Sequence, residues 1–154
     1  MRDRVFLDTN VLVYLYSNSE PAKRSLVTAL VERHEPIVST QVLGELANVL
    51  WRKLRLPVEA IERTIDEVIA ACDLVLVTPA TVKAALRISE RYRYGFFDSQ
   101  VLAAATAAGA RTVYSENMHH GQRIDGLRIV SPFAAEAREP SARYRARTKL
   151  RRAA

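Results

Sequence analysis

A single cysteine, Cys72, stands in 154 residues, which excludes an intramolecular disulfide and fits a reducing compartment. Its position at the end of an amphipathic segment reads as that of a small packed hydrophobe. No apolar run approaches the ~20 residues needed to cross a bilayer, and no membrane association is expected. The first residues, Met1 to Asp8, lack the apolar core of a signal peptide, so a cytoplasmic protein is expected. Glycine-rich phosphate loops are missing: neither G-x-G-x-x-G nor G-x-x-x-x-G-K-[ST] occurs, which leaves no support for a nucleotide cofactor. Zinc spacing is missing too, because His119 and His120 are adjacent and no cysteine or further histidine stands at ligand distance in sequence. Nothing supports a Ser-His-Asp site.

What is present suits one domain with one hydrophobic core. The hydrophobic share is 49% and the net charge +6, but the charge is uneven. Positions 138–154 hold seven basic residues and one acid, leaving sixteen of each sign in 1–137. The body is formally neutral and the end carries the whole excess. We divide the chain into a folded domain over 1–136 and a basic tail over 137–154, where apolar periodicity stops. Such a tail is either a flexible solubilising end or an attractor of nucleic acid through counterion release.

Short β-branched runs alternate with helical patterns. Arg4–Leu7, Ile37–Thr40, Leu74–Val77 and Arg111–Tyr114 read as strands, with Arg128–Val130 a possible fifth. Between them lie a short helix from Asn10, with Asn10 as its N-cap, and helices opened by Pro21 and Pro57. A helix from Gln41 to Leu54 carries Leu43, Leu46, Ala47, Leu50 and Leu54 at helical spacing. Two more run over 80–93, stopping at Gly95 as C-cap, and over 98–108. This order predicts an α/β fold: a central, mostly parallel sheet of four to five short strands with helices on both faces.

In such a sheet, ligands bind beyond the carboxyl ends of the strands. Asp8 directly follows the first strand and Asn117, with Glu116, follows the fourth. Asp98 opens the last helix, and Glu45 lies one turn into the helix after the second strand. Taken singly, Asp98 reads equally as a helix N-terminal acid, Glu45 as part of a solvated stripe with Gln41, Asn48 and Arg52, and Glu116-Asn117 as turn formers. Together, if strands one, two and four are neighbours, they meet at one edge. Carboxylates gathered there raise one another's pKa unless a cation holds them. A hard, oxygen-ligated ion such as Mg²⁺ or Mn²⁺ fits that donor set. Such an ion activates water and stabilises charge on a phosphoryl group, so the implied reaction is phosphodiester hydrolysis. A haloacid-dehalogenase-like phosphatase also begins with an acid after its first strand, but it needs a second acid where Asn10 stands.

Four segments in this order carry a resemblance over about residues 3–133. They are Phe6-Leu7-Asp8-Thr9-Asn10, Ser39-Thr40-Gln41-Val42-Leu43-Gly44-Glu45, Tyr94-Gly95-Phe96-Phe97-Asp98-Ser99 and Tyr114-Ser115-Glu116-Asn117-Met118-His119-His120-Gly121, closed by Ile129-Val130-Ser131-Pro132-Phe133. In these the chain resembles a PIN domain, most of all the VapC toxins of bacterial toxin–antitoxin pairs. The resemblance implies a PIN-like three-layer α/β/α fold and a Mg²⁺- or Mn²⁺-dependent endoribonuclease that cuts structured RNA such as tRNA or rRNA. By matching positions, Asp8, Glu45 and Asp98 would be the acidic catalytic residues, with Asp8 and Asp98 on the metal. Asn117 stands where the family usually has a fourth acid. That exchange removes one negative charge and implies weaker metal affinity and lower activity; the alternative is a PIN-like domain of impaired catalysis that binds RNA or a protein. Thr9, Asn10, Ser115 and Glu116 would support the site, and Arg91, Arg93 and Arg123 would contact RNA phosphates. His119 and His120 are read as surface or RNA-contact residues. Similar toxins are homodimers silenced by a small VapB-like antitoxin. Leu50, Trp51, Leu54 and Leu56 are the apolar surface offered to it here.

Overall fold

The computed structural model describes residues 2–134; the basic tail expected over 137–154 lies outside them. Six strands form one sheet: β1 (Arg4–Leu7), β2 (Glu35–Ser39), β3 (Asp73–Val75), β4 (Thr112–Tyr114), β5 (Arg123–Ile124) and β6 (Leu127–Val130). Their order is β3-β2-β1-β4-β6-β5. Every pairing is parallel except β5 with β6. The helices are α1 (Thr9–Leu12), α2 (Pro21–Arg33), α3 (Thr40–Arg52), α4 (Val58–Ala71), α5 (Pro79–Tyr92) and α6 (Phe96–Ala107), with a 3-10 turn over Val13–Tyr16 extending α1.

The α/β expectation holds, with β2, β1 and β4 adjacent. The sheet has one strand more than expected. Asp125-Gly126 turns a short hairpin between β5 and β6, Asp125 taking φ 53; an Asp-Gly pair is a hairpin signal. Because side chains alternate across a strand, register settles the two faces. Val5, Leu7, Thr112, Tyr114, Arg128 and Val130 share one face, and Phe6, Ile37, Val113 and Ile129 the other. On the second face Arg4 reaches Ala108 O at 3.2 Å, at the end of α6; α2 lies along the first. Phe6, Leu7, Ile37, Val113 and Ile129 are fully buried, each worth about 1.5–3 kcal/mol relative to exposure.

Two caps differ from expectation. Asp8, not Asn10, is the N-cap of α1, its carboxylate accepting from Thr9 N. Asp8 keeps extended backbone because its N–H donates to Tyr114 O at 3.0 Å and so prolongs the sheet. At the end of α5 the left-handed residue is Arg93, φ 64, whereas Gly95 is the N-cap of α6. The two helices follow so closely in sequence that the chain turns two residues before the glycine. At two other ends Ser39 caps α3, and Thr78 with Thr81 forms a reciprocal box at α5. Cys72 is partly buried against the core, and burial pushes its thiol up to about 11. Among the described residues no helix is long and apolar enough to cross a membrane.

Candidate active site

Three strand ends and one helix start converge beyond the carboxyl edge of β2, β1 and β4. Asp8 leaves β1, Thr40 begins α3 directly after β2, and Ser115 leaves β4, its N–H donating to Val130 O at 3.0 Å. The first turn of α6 brings Asp98. The resulting cleft of about 510 Å³ is lined by Asp8, Thr9, Asn10, Glu45, Asp98 and Asn117, with Tyr14, Asn48 and Lys53 among the remaining walls. The distant acids thus share one cavity.

Asp8 is the most buried of them, 4% exposed. Its Oδ1 accepts from Thr9 N at 2.8 Å, and its Oδ2 accepts from Ser115 Oγ at 2.9 Å and Asn10 Nδ2 at 3.2 Å. Asn10 is a clamp: its Nδ2 also donates to Ser115 Oγ at 3.2 Å, and its Oδ1 accepts from Glu116 N at 3.0 Å. It ties the end of β4 to the end of β1. Ser115 Oγ in turn accepts from Asn117 N at 3.3 Å, setting the backbone from which Asn117 enters the cleft.

Glu45 is held from both sides. Thr9 Oγ1 donates to its Oε2 at 2.8 Å and Gln41 Nε2 to its Oε1 at 2.9 Å. The same Gln41 amide donates to Phe97 O at 3.1 Å, and Gln100 Nε2 donates to Gln41 Oε1 at 2.8 Å. This chain of amides links α3 to α6 and fixes Glu45 relative to Asp98. Neither Gln41 nor the buried Gln100 carries a local sequence signal of this role. Of the stripe that spacing leaves equally open as a solvated face, Glu45 and Asn48 line the cleft, Gln41 stands behind Glu45 through its hydrogen bond, and Arg52 does not line it.

The electrostatics are those of crowded like charges. Burial pushes Asp8 up to about 6 from an ordinary 3.8, against the hydrogen bonds from Ser115 and Thr9, and the charges of Glu45 and Asp98 add to the rise. Asp98 is also raised, first by burial and then by Glu45. Asp8, Glu45 and Asp98 therefore feel one another. Among the described residues no group of three His, Cys, Asp or Glu is drawn tightly enough to enclose an ion. The donor set nonetheless fits a hard cation that keeps several waters: carboxylate, amide and hydroxyl oxygens surround the cleft, with no thiolate or imidazole in its lining.

The other sequence candidates fall elsewhere. Glu116 does not line the cleft; its Oε2 lies 3.8 Å from Lys23 Nζ. Arg91, Arg93 and Arg123 are exposed and none lines the cleft; the Arg91 guanidinium lies over the Tyr92 ring. The cation that does line it, Lys53, follows α3 in a segment without a distinguishing sequence signal. His119 N donates to Tyr94 OH at 3.1 Å, and His120 Nδ1 accepts from Ser131 N at 3.0 Å, so both histidines take part in loop structure. Leu50 is fully buried and belongs to the core, whereas Trp51 is 58% exposed.

A sequence model of the PIN domain matches residues 5–123. The chain belongs to the PIN domain family. Solved structures agree. A toxin–antitoxin complex from Klebsiella pneumoniae contains a chain similar to this PIN domain at 16% identity and TM-score 0.65, covering 84% of this chain and 98% of that one. VapC20 of Mycobacterium tuberculosis, a sarcin-ricin loop cleaving toxin, is similar at 21% identity and TM-score 0.59, over 71% of this chain and 86% of its own. DNA-bound VapBC of Salmonella typhimurium gives 21% identity and TM-score 0.59, over 82% and 96%. At these identities the likeness is one of fold. No curated protein sequence matches the chain significantly.

Proposed function

We propose that this PIN domain is a Mg²⁺- or Mn²⁺-dependent endoribonuclease, the toxin of a VapBC-type toxin–antitoxin pair, that hydrolyses phosphodiester bonds of structured RNA such as tRNA or rRNA. The observation that carries this reading is the sharing of one cleft by Asp8, Glu45 and Asp98, three acids from separate elements. The similarity to VapC and VapBC folds supports it.

Asp8 and Asp98 would hold the ion, with the Asn117 amide oxygen completing a neutral corner. When bound, a divalent cation would supply Lewis-acid charge and lower the pKa of water. The chain's own contribution is positional. Thr9 and Gln41 hold both oxygens of Glu45, leaving its carboxylate aligned to take a proton or orient a water. Ser115 and Asn10 fix Asp8 in one rotamer. Lys53, on the cleft wall, is suited to grip an RNA phosphate flanking the reacting one.

The antitoxin reading draws on a second surface. Between α3 and α4 runs a groove of about 630 Å³ lined by Ala47, Trp51, Val58, Ile61 and Ile65, with Glu62 and Asp66 on its walls. An amphipathic segment of a small partner would cover it. A homodimer follows the same analogy.

The decisive assay incubates the full chain with tRNA and rRNA fragments plus Mg²⁺ or Mn²⁺, beside an EDTA control. Cleavage that requires metal is the expected result; metal-independent cleavage, or none with any structured RNA, would overturn it. A second reading, an impaired domain that binds RNA or a partner, is favoured by Asn117 lining the cleft in place of an acid. Activity that emerges only in Asn117→Asp would favour that reading.

A further inference from the structure

A second cavity lies on the face of the sheet over β4 and β6, and its chemistry is opposite to that of the cleft. It measures about 280 Å³ and is lined by Arg33, His34, Tyr114, His120 and Arg128 over an apolar floor that includes Leu30 and Val130. Topology explains it. Thr112 pairs with Arg128 and Tyr114 with Val130, so these side chains stand on one face, and α2 supplies Arg33 from the side.

From this geometry we infer that the cavity is a binding site for a phosphate monoester carried on a nucleotide, distinct from the acidic cleft. Two guanidiniums are the first argument. Arg33 and Arg128 both act on the Tyr114 hydroxyl, opposing the upward push of burial, while Asp3 is the nearby acid. Among the described residues neither arginine sits in an ion pair. Arg33 Nε donates to Ala29 O at 3.3 Å, which steadies the fork without consuming its terminal nitrogens. Planar guanidinium forks match a phosphate in two-point contact.

The imidazoles are the second argument. His120 Nδ1 accepts from the Ser131 N–H, which holds its ring in the cavity wall. His34 Nδ1 lies 2.9 Å from Leu30 O, so it donates there, and its ring is held 6.2 Å from Tyr114 at 58°. Size is the third. The cavity is near the lower bound of about 300 Å³ for small-molecule sites; its volume equals roughly nine waters at about 30 Å³ each. That exceeds a bare phosphate and leaves room for a sugar against Leu30, Val130 and the tilted rings.

The test uses the full chain in EDTA, so that no cation recruits phosphate to the acidic cleft and no cleavage is required. Uridine 5′-monophosphate, uridine and inorganic phosphate are titrated by heteronuclear NMR, with Arg33→Gln/Arg128→Gln as the variant. The nucleotide is expected to shift amides of β4 and β6 and to bind at least tenfold tighter than uridine. The double variant, whose exposed side chains carry no core packing, should lose at least tenfold in affinity with an unchanged melting temperature. It also controls for the basic tail, which it leaves intact. Equal binding of uridine, no binding of the nucleotide, or full affinity in the double variant would each overturn the site. A 5′-phosphorylated and a 5′-hydroxyl RNA pentamer then identify the source. Selective binding of the phosphorylated pentamer assigns an RNA end, and binding of the mononucleotide alone assigns a free nucleotide.

Discussion

Tyr114 and Ser115 are neighbours in sequence and serve opposite environments. Tyr114, still within β4, lies in a cavity with two arginines and two histidines. Ser115, one residue later, donates to Asp8 in a cleft walled by three carboxylates. The difference follows from where each stands. A residue inside a strand is assigned to one face by alternation; a residue just past the strand leaves the ladder and joins whatever gathers at the sheet's edge. In the edge cleft, like charges are forced together and stabilise only with a cation or a proton. On the face, the arginines keep part of their surface in water, where unpaired charge is cheap, and a ligand is optional to the fold. One site is therefore under electrostatic stress when empty and the other is not.

The largest test of that contrast is Asp98→Ala. On the proposed nuclease reading it should lower metal-dependent cleavage by at least 100-fold, about 2.7 kcal/mol in the barrier, while circular dichroism and melting stay near wild type because Asp98 is only half-buried. Unchanged cleavage would remove Asp98 from the site. Asn117→Asp moves the other way: it adds a fourth acid to the cleft and should tighten Mn²⁺ binding by calorimetry, about tenfold for one further charged ligand. Weaker or unaltered binding would mean that Asn117 does not face the ion.

A smaller effect concerns stability. The folded pKa of Asp8, about 6, lies above its unfolded value, so between these two values the native state binds more protons than the unfolded one. Stability contributed by protonated Asp8 is fully present below the unfolded pKa and is lost as pH rises through about 6. Metal-free protein should then melt lower at pH 8 than at pH 5. Asp8→Asn should remove part of that slope and stabilise the metal-free fold at pH 8 by about 1–3 kcal/mol, a rise of several degrees. A melting temperature that climbs with pH in EDTA, or an Asn variant that melts lower at pH 8, would contradict the stress assigned to the cleft.

Much of this was legible in the chain. Alternating short runs and helical stripes yield the α/β class and the places of Asp8, Glu45 and Asp98 after strands and at a helix start, whereas the adjacency of β2, β1 and β4 enters from sequence only as a condition and is supplied by the structure. What escaped reading was of two kinds. Asn10 reads as an N-cap and, through the resemblance, as a site support, but the way it does so, its amide spanning the ends of β1 and β4, is a long-range hydrogen bond with no local pattern. Gln41 and Gln100 are likewise ordinary helix residues until α3 and α6 are brought together. The β5 hairpin is different, since Asp125-Gly126 is a local signal between two short runs, weak only because β5 is two residues long. Arg91, Arg93 and Arg123 stand near the motifs in sequence, and proximity in sequence to a motif does not put a side chain in the cleft. Arg33 and Arg128 lie far apart in the chain and meet only through the register of β4 with β6 and the lie of α2.

The finest test exploits the two neighbours directly. Ser115→Ala removes the hydroxyl that donates to Asp8 Oδ2 and accepts from Asn10 and Asn117. Losing a donor to the charged form should push the Asp8 pKa higher still and cost about 1 kcal/mol of stability. Tyr114→Phe removes a hydroxyl one residue earlier, on the sheet face. It should leave the Asp8 titration where it is and weaken only uridine 5′-monophosphate binding, by less than the arginine pair does. Carboxyl-carbon NMR of Asp8 in both variants reads the first effect, and the nucleotide titration reads the second. If Tyr114→Phe moved Asp8, or Ser115→Ala weakened the nucleotide, cleft and cavity would be one coupled site rather than two built on consecutive residues.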